Sequence, residues 1–128
     1  MVAESVRKFK NAERLLKPHL KKFMPEERAR ELLINAGIQP MPRPKGIPAD
    51  YRIKIANNSA GLVYYHPTND HIQVRVMVGK PHSPFPIQRK PYVKQSYHGK
   101  YYDEYGVLHS NGRIDEVHIP YEKFIYRE

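Results

Sequence analysis

Apolar residues in the first 23 positions recur every three or four residues, which is the period of an amphipathic helix. Pro18 lacks an amide donor and clashes with the preceding turn, so it predicts a break or kink in this helix. A second helix is predicted between Pro25, which suits a first helical position, and Gly37, which suits a left-handed cap. The apolar stripe of the first helix comprises Val2, Val6, Phe9, Ala12, Leu16, Leu20 and Phe23, and that of the second comprises Leu32, Leu33 and Ala36.

A proline-rich segment, residues 40–48, follows these helices and contains four of the twelve prolines in the chain. Segments of this composition are stiff and extended. The segment therefore marks a connector between a helical part, residues 1–39, and a β-rich part, residues 49–128. Both parts are predicted to belong to a single domain, since the apolar stripes of the helices need a partner surface.

Short runs in the second half combine β-branched and aromatic residues, and several of them alternate between apolar and polar positions. Turn-forming residues separate the runs, and such short connections favour antiparallel pairing. The runs are residues 51–56, 61–67, 71–78, 91–97 and 117–126. The sequence predicts an α+β fold, with two or three N-terminal helices packed on a twisted antiparallel sheet of about four to five strands.

The charge of the chain is strongly basic and is unevenly distributed. There are 22 Lys and Arg residues against 13 Asp and Glu residues, for a formal net charge of +9. From His71 to Tyr102 the chain carries six basic residues and no acidic one. A solvated face normally mixes both signs, so this block predicts a surface shaped for an anion such as RNA. The alternative that stays open is that the charge only keeps the protein soluble.

Several classes of chemistry are disfavoured by composition. The chain has no Cys, which removes disulfides, thiolate zinc sites and cysteine nucleophiles. Its carboxylates are few, and the adjacent pairs Asp103-Glu104 and Asp115-Glu116 would point in opposite directions on a strand, so neither a metal site nor a metal-dependent deoxyribonuclease is predicted. No apolar run approaches the ~18 residues that a membrane helix needs. We expect a monomer that uses no metal or other cofactor and contacts no membrane.

Metal-free cleavage of RNA suits the remaining side chains. The 2′-hydroxyl of the substrate supplies the nucleophile, so the protein needs only a base, an acid and cations around the phosphorane. Histidine is the natural proton carrier because its unperturbed pKa is roughly 6.5. The predicted catalytic residues are His118, Arg75, Lys94, Tyr92 and His82.

Each of these residues has a predicted role. His118 would act as general acid or base, and Arg75 and Lys94 would stabilise the phosphorane. Tyr92 shares a strand face with Lys94 by the period of two, and it would position or stack on the substrate. His82, in a proline-rich loop, would be a second proton carrier. A solvated strand charge at Arg75 and a structural, hydrogen-bonded histidine at His118 are the alternatives that spacing alone leaves open.

The basic block also supplies a set of residues that we expect to contact RNA without taking part in the reaction. Cations attract the phosphates, and exposed aromatic rings stack on splayed bases. The predicted RNA-binding residues are Lys80, Arg89, Lys90, Lys100 and Tyr97.

Five short elements in residues 61–126 follow one another in an order that resembles a known family. They are Gly61, Tyr64 and Pro67; Arg75, Val76, Met77 and Gly79; Pro91, Tyr92, Val93 and Lys94; Asp103 and Gly106; and His118, Ile119 and Pro120. In this order they resemble a C-terminal toxin domain of the bacterial polymorphic and contact-dependent inhibition toxins. The resemblance covers about half of the chain, and the helical part adds nothing to it.

The resemblance implies an RNA-cleaving module aimed at tRNA, with a fold similar to barnase, EndoU nucleases, colicin nucleases and messenger-RNA interferases. It also implies delivery as part of a larger secreted toxin, action in the cytoplasm of a target cell, and an acidic cognate immunity protein that blocks the basic cleft. Since a fold does not determine a function, two other interpretations stay open. They are a non-catalytic RNA-binding module and a basic protein-interaction domain.

Overall fold

A computed structural model describes residues 2–128, with side chains from Glu4 onward. Within these residues two α-helices, α1 (Val2–Leu16) and α2 (Glu26–Asn35), precede seven β-strands, so the predicted α+β class is confirmed. The strands are β1 (Arg52–Ile55), β2 (Gly61–His66), β3 (Asn69–Met77), β4 (Tyr92–Tyr97), β5 (Lys100–Tyr102), β6 (Leu108–His109) and β7 (Ile119–Pro120).

The helices begin and end close to the predicted signals. Helix α1 ends at Leu16 and gives way to a 3₁₀ turn that contains Pro18, as the missing amide requires. Helix α2 starts directly after Pro25, and Gly37 adopts a φ of +88° just beyond its end. The proline-rich connector at residues 40–48 carries neither helix nor strand.

The strands pair antiparallel in the order β1-β2-β3-β4-β5-β6. Strand β7 pairs with the start of β4, at Tyr92 and Val93, whereas β5 pairs with the end of β4, at Ser96 and Tyr97. Two short strands therefore lie along one edge of β4. This arrangement brings the chain just before β7 close to the first residues of β4.

The prediction of four to five strands is too low. Strands β5 and β6 are only three and two residues long, and a run that short shows no alternation in the sequence. The predicted strand at residues 117–126 is wrong except at Ile119–Pro120, because Asp115–Val117 and Tyr121–Lys123 each form a 3₁₀ turn. The apolar residues of this tail, Phe124 and Tyr126, instead pack against the core as irregular chain.

The core lies between the helices and one face of the sheet. Alternate strand residues such as Leu62 and Val74 pack there with Ala12 of α1 and Leu33 of α2. Phe23 departs from the prediction that placed it on the stripe of the first helix. It lies beyond the end of that helix and contacts the opposite face of the sheet, against Tyr65.

A network around Glu26 fixes α2 and the connector to the sheet. Glu26 Oε2 accepts hydrogen bonds from Arg30 Nη2 at 2.9 Å and from the Tyr64 hydroxyl at 3.0 Å, and Glu26 Oε1 accepts one from Arg43 Nη1 at 2.6 Å. Burial acts to raise the pKa of Glu26, but these hydrogen bonds outweigh it and leave the pKa below its usual value. Tyr64, one of the residues in the toxin resemblance, therefore helps to attach α2 to the sheet.

Gly61 is the first residue of β2 and pairs with Met77 of β3. A Cβ at this position would lie 2.1 Å from the Val76 carbonyl oxygen. We expect Gly61→Ala to lower the free energy of unfolding by about 2–4 kcal/mol, measured by urea denaturation. Gly99→Ala is the control, since its Cβ would meet nothing within 4 Å and only its positive φ of +79° carries a penalty, about 1 kcal/mol. Equal losses in the two variants would contradict this steric account.

Candidate active site

A cleft of about 360 Å³ opens on the sheet face opposite the helices. Four of the five predicted catalytic residues line it, and neither Asp nor Glu is among its lining residues. The lining side chains are Gln73, Arg75, Gln88, Tyr92, Lys94, Ser96, Tyr101 and His118. The cleft therefore combines imidazole, phenol, amide and cationic groups at one place.

Strand pairing explains why these residues meet. Arg75 and Lys94 are direct partners across β3 and β4, so their side chains point to the same face. Tyr92 precedes Lys94 by two residues and shares that face, as predicted from the period of two. His118 lies just before β7, whose Pro120 pairs with Tyr92, and the ring centroids of Tyr92 and His118 are 5.2 Å apart.

The backbone orients the imidazole of His118. His118 Nδ1 lies 2.8 Å from the carbonyl oxygen of Ile114, which only accepts hydrogen bonds, so Nδ1 carries the proton. In the neutral ring Nε2 is then the unprotonated nitrogen, and it accepts a long hydrogen bond of 3.5 Å from the side-chain amide of Gln88. Burial lowers the pKa of His118, and the Lys94 cation lowers it further, against the opposing effect of the Ile114 hydrogen bond. The ring is therefore neutral near pH 7, with a basic nitrogen available.

The two cations of the cleft, Arg75 and Lys94, pair with each other across β3 and β4. The ion pairs that residues 2–128 form involve neither Arg75 nor Lys94. Burial lowers the pKa of Lys94, and the neighbouring cations Arg75 and Arg113 lower it further. Like charges opposite each other on paired strands are destabilising. An anion bound between them would relieve this repulsion, so the geometry fits a phosphate group.

Sequence reasoning missed part of this lining. Gln73 occupies the same face of β3 as Arg75, so the period of two could have identified it. Gln88 belongs to a 3₁₀ turn and Tyr101 to the three-residue strand β5, and neither element has a periodic signal. Lys94 Nζ lies 4.6 Å from the centroid of the Tyr101 ring, and this cation–π contact positions the amine over the aromatic face.

His82 lies outside the cleft. Its Nδ1 is 2.9 Å from the Ser5 hydroxyl oxygen, and its ring lies 5.6 Å from that of Phe9, both on α1. These contacts attach the loop after β3 to the first helix. A role for His82 as second proton carrier in this cleft receives no geometric support.

The predicted RNA-binding residues are not gathered around the cleft. Arg89 lines a separate cavity of about 630 Å³ between α1 and the loop after β3, and Lys80 Nζ lies 5.1 Å from the ring centroid of Phe9 in that cavity's wall. Lys90 is exposed on the same loop. Tyr97 and Lys100 are partners across β4 and β5, one residue out of phase with Ser96, so they point to the opposite face. Their roles in RNA binding stay predictions.

Asp103 and Gly106 form the turn between β5 and β6. Asp103 Oδ1 accepts hydrogen bonds from the amides of Tyr105 and Val107, each at 2.9 Å, and Asp103 Oδ2 lies 2.8 Å from His109 Nε2. The His109 hydrogen bond and the Val107 amide lower the pKa of Asp103. Gly106 supplies a φ of +83°. Asp103 and Gly106, one of the five elements of the toxin resemblance, therefore stabilise the turn between β5 and β6.

The protonation of His118 predicts a pH dependence of stability. The pKa of His118 is about 6.5 in the unfolded chain and lower in the fold, so the unfolded state binds more protons between these values. We therefore expect the free energy of unfolding to fall as the pH drops below about 6.5. Urea denaturation at several pH values would measure this, and His118→Asn is expected to show a shallower dependence. Identical slopes in both proteins would contradict the assignment.

Comparison of the chain with known protein families, curated proteins and solved structures finds no match. Nothing in these comparisons identifies a toxin domain, so the resemblance to bacterial toxins stays a prediction. None of the helices in residues 2–128 is long and apolar enough to cross a bilayer. In the same part of the chain, no group of three or more His, Cys, Asp or Glu side chains is arranged to hold a metal ion.

Proposed function

We propose that the protein is a metal-independent endoribonuclease, with tRNA as its target, that cleaves by attack of the 2′-hydroxyl on the adjacent phosphate. The main support is geometric: the His118 imidazole, oriented by the Ile114 carbonyl, lines the same cleft as Arg75 and Lys94, and neither cation has an acidic partner among the described residues. This reaction needs a proton acceptor, a proton donor and positive charge around the phosphorane. The lining of the cleft contains each of them.

His118 Nε2 accepts the proton of the 2′-hydroxyl while the 2′-oxygen forms its bond to phosphorus. Arg75 and Lys94 bind the nonbridging oxygens and stabilise the charge of the phosphorane. As the bond from phosphorus to the 5′-oxygen breaks, Lys94 donates a proton to that oxygen, since its lowered pKa makes it a stronger acid than an exposed lysine. The products are a 2′,3′-cyclic phosphate and a free 5′-hydroxyl.

Tyr92 orients both the imidazole and the substrate. Its ring packs against that of His118 and restricts the orientation of the imidazole. Burial raises the pKa of Tyr92 above its usual value, so the phenol stays protonated as a hydrogen-bond donor. The face of the ring offers a stacking surface for a base next to the scissile bond.

Incubation of total RNA with the purified protein in excess EDTA tests the proposal. The expected result at low salt is discrete cleavage, with ends that map to one position in tRNA. RNA that stays intact at every salt concentration would contradict the nuclease activity. Cleavage that appears only after addition of a divalent metal would contradict the metal-independent mechanism.

The second candidate function is a non-catalytic RNA-binding module, which the cationic cleft without carboxylates also favours. This alternative predicts RNA binding that weakens steeply with salt and yields no products. If the cleft binds an acidic protein and does not bind RNA, the third alternative, a basic protein-interaction domain, is favoured. A cognate immunity protein, and delivery by a larger secreted toxin into the cytoplasm of a target cell, are proposed on the resemblance to bacterial toxins.

A further inference from the structure

A row of residues leads from the cleft across the sheet. Lys54 of β1 pairs with Val63, Val63 pairs with Arg75, and Arg75 pairs with Lys94. Paired residues point to the same face, so the row places a third cation in line with the two cations of the cleft. Three strand spacings separate Lys54 from Lys94, about 14 Å in all.

The next row on this face carries aromatic and polar groups. Arg52 pairs with Tyr65, Tyr65 with Gln73, and Gln73 with Ser96, whose partner on β5 is Tyr101. The two rows together form a surface of cations and aromatic rings that runs from the cleft to the β1 edge. Core packing does not account for Lys54 and Arg52, because they lie on the face away from the helices.

Phe23 closes this surface at the β1 edge. Met24 forms a bridge with Ile53 on the core side, so the preceding residue, Phe23, points to the face of the cleft. The guanidinium carbon of Arg52 lies 3.6 Å from the Phe23 ring centroid, Lys54 Nζ lies 4.2 Å from it, and the Tyr65 ring meets it edge-on at 5.4 Å. We refer to Phe23, Arg52, Lys54 and Tyr65 as the β1 platform.

We infer that the β1 platform is a second RNA subsite, which binds a single-stranded segment flanking the scissile phosphate. The inference rests on the proposed ribonuclease function. The Arg52 guanidinium, whose carbon lies over the Phe23 ring, would stack on a base, and Lys54 would contact the backbone phosphates of a strand that leaves the cleft. Stacking on aromatic and guanidinium planes needs an unpaired base, which selects single strands over duplexes.

The charge balance of the β1 platform also favours RNA. Among the described residues, the one ion pair of the platform joins Arg52 to Asp70, whose carboxylate lies 3.7 Å away in an exposed pair. Exposed pairs of this kind contribute little energy, so a phosphate competes with it readily. Within residues 2–128, Lys54 forms no ion pair. Apart from Asp70, the charged side chains between the β1 platform and the cleft are cationic, which complements a polyanionic strand.

Binding to a fluorescent single-stranded oligouridine of about twelve nucleotides tests this subsite, measured by anisotropy in the His118→Asn background so that no cleavage occurs. Phe23→Leu is expected to raise Kd roughly tenfold by removing the support of the stacking surface. Lys54→Met is expected to lower the slope of log Kd against log salt by roughly 0.7, the contribution of one phosphate contact. Lys10→Met, on the exposed side of α1, is the charge-matched control and is expected to change neither quantity.

The outcomes separate this inference from the proposed function. Binding that depends on the β1 platform, in a protein that cleaves no RNA, would refute the nuclease and keep the subsite. If the native protein cleaves RNA but Phe23→Leu and Lys54→Met change neither the Kd nor the salt slope, the subsite is wrong. An acidic protein would then be the expected partner of the β1 platform. The same two variants are also tested for binding to an RNA duplex. If they weaken binding to the duplex as much as binding to the single strand, the single-strand selectivity is wrong. Thermal melting of each variant confirms that the fold is retained.

Discussion

His118→Asn is expected to lower the rate of RNA cleavage by roughly 10²–10⁴-fold with little change in stability. The side-chain amide of Asn replaces Nδ1 as donor to the carbonyl oxygen of Ile114, a contact that is 2.8 Å in the native chain. It supplies no counterpart of Nε2, so the proton of the 2′-hydroxyl has no acceptor. Single-turnover cleavage of a tRNA transcript measures the effect, and urea denaturation checks the fold.

His71→Asn is the matched control for this variant, because His71 is exposed on β3 and its side chain makes no contact with the cleft. It is expected to cleave at the native rate. The native kcat/KM should also rise with pH through a pKa below about 6.5, as His118 loses its proton. If His118→Asn still cleaves RNA, and its kcat/KM still rises with pH in the same range, then His118 is a structural histidine.

Lys94→Met is expected to lower cleavage by roughly 10²–10³-fold and to raise the free energy of unfolding by up to about 1 kcal/mol. Methionine keeps the length and packing of the side chain but removes the charge. The activity falls because the phosphorane loses a cation and the 5′-oxygen loses its proton donor. The stability rises because Arg75 no longer faces a like charge across the β3 and β4 pair.

Opposite changes in activity and stability distinguish a functional cation from a structural one. Both quantities are measured on the same preparations, by cleavage of a tRNA transcript and by urea denaturation. Lys10→Met, on the exposed face of α1, serves as the control and is expected to alter neither. A parallel loss of stability and cleavage in Lys94→Met would indicate that the amine only supports the fold.

The parts of the site that the sequence predicts lie on strands with clear alternation. The period of two in β3 and β4 places Arg75, Tyr92 and Lys94 on one face, and the structure brings them together. The short apolar setting of His118 predicts a strand there, but the position of its side chain depends on the pairing of β7 with β4. No local pattern encodes that long-range pairing.

The errors have equally specific causes. Phe23 fits a helical period with the residues before it, yet the helix stops before Pro18 and Lys21 adopts a positive φ of 65°, which redirects the chain. Strands β5 and β6 are held by the side-chain hydrogen bonds of Asp103, which apolar patterning does not reveal. His82 lies in a loop, where no alternation of apolar and polar residues indicates which way a side chain points.

The chemical ends of the products distinguish attack by the 2′-hydroxyl from hydrolysis by water. An RNA oligonucleotide spanning the mapped cleavage position is incubated with the protein in excess EDTA, beside a copy with a single 2′-deoxynucleotide on the 5′ side of the scissile phosphate. We expect the first substrate to give a 2′,3′-cyclic phosphate and a 5′-hydroxyl, identified by mass spectrometry, and the second substrate to stay uncleaved. Cleavage of the deoxy-substituted copy, or products with 5′-phosphate and 3′-hydroxyl ends, would contradict attack by the 2′-hydroxyl.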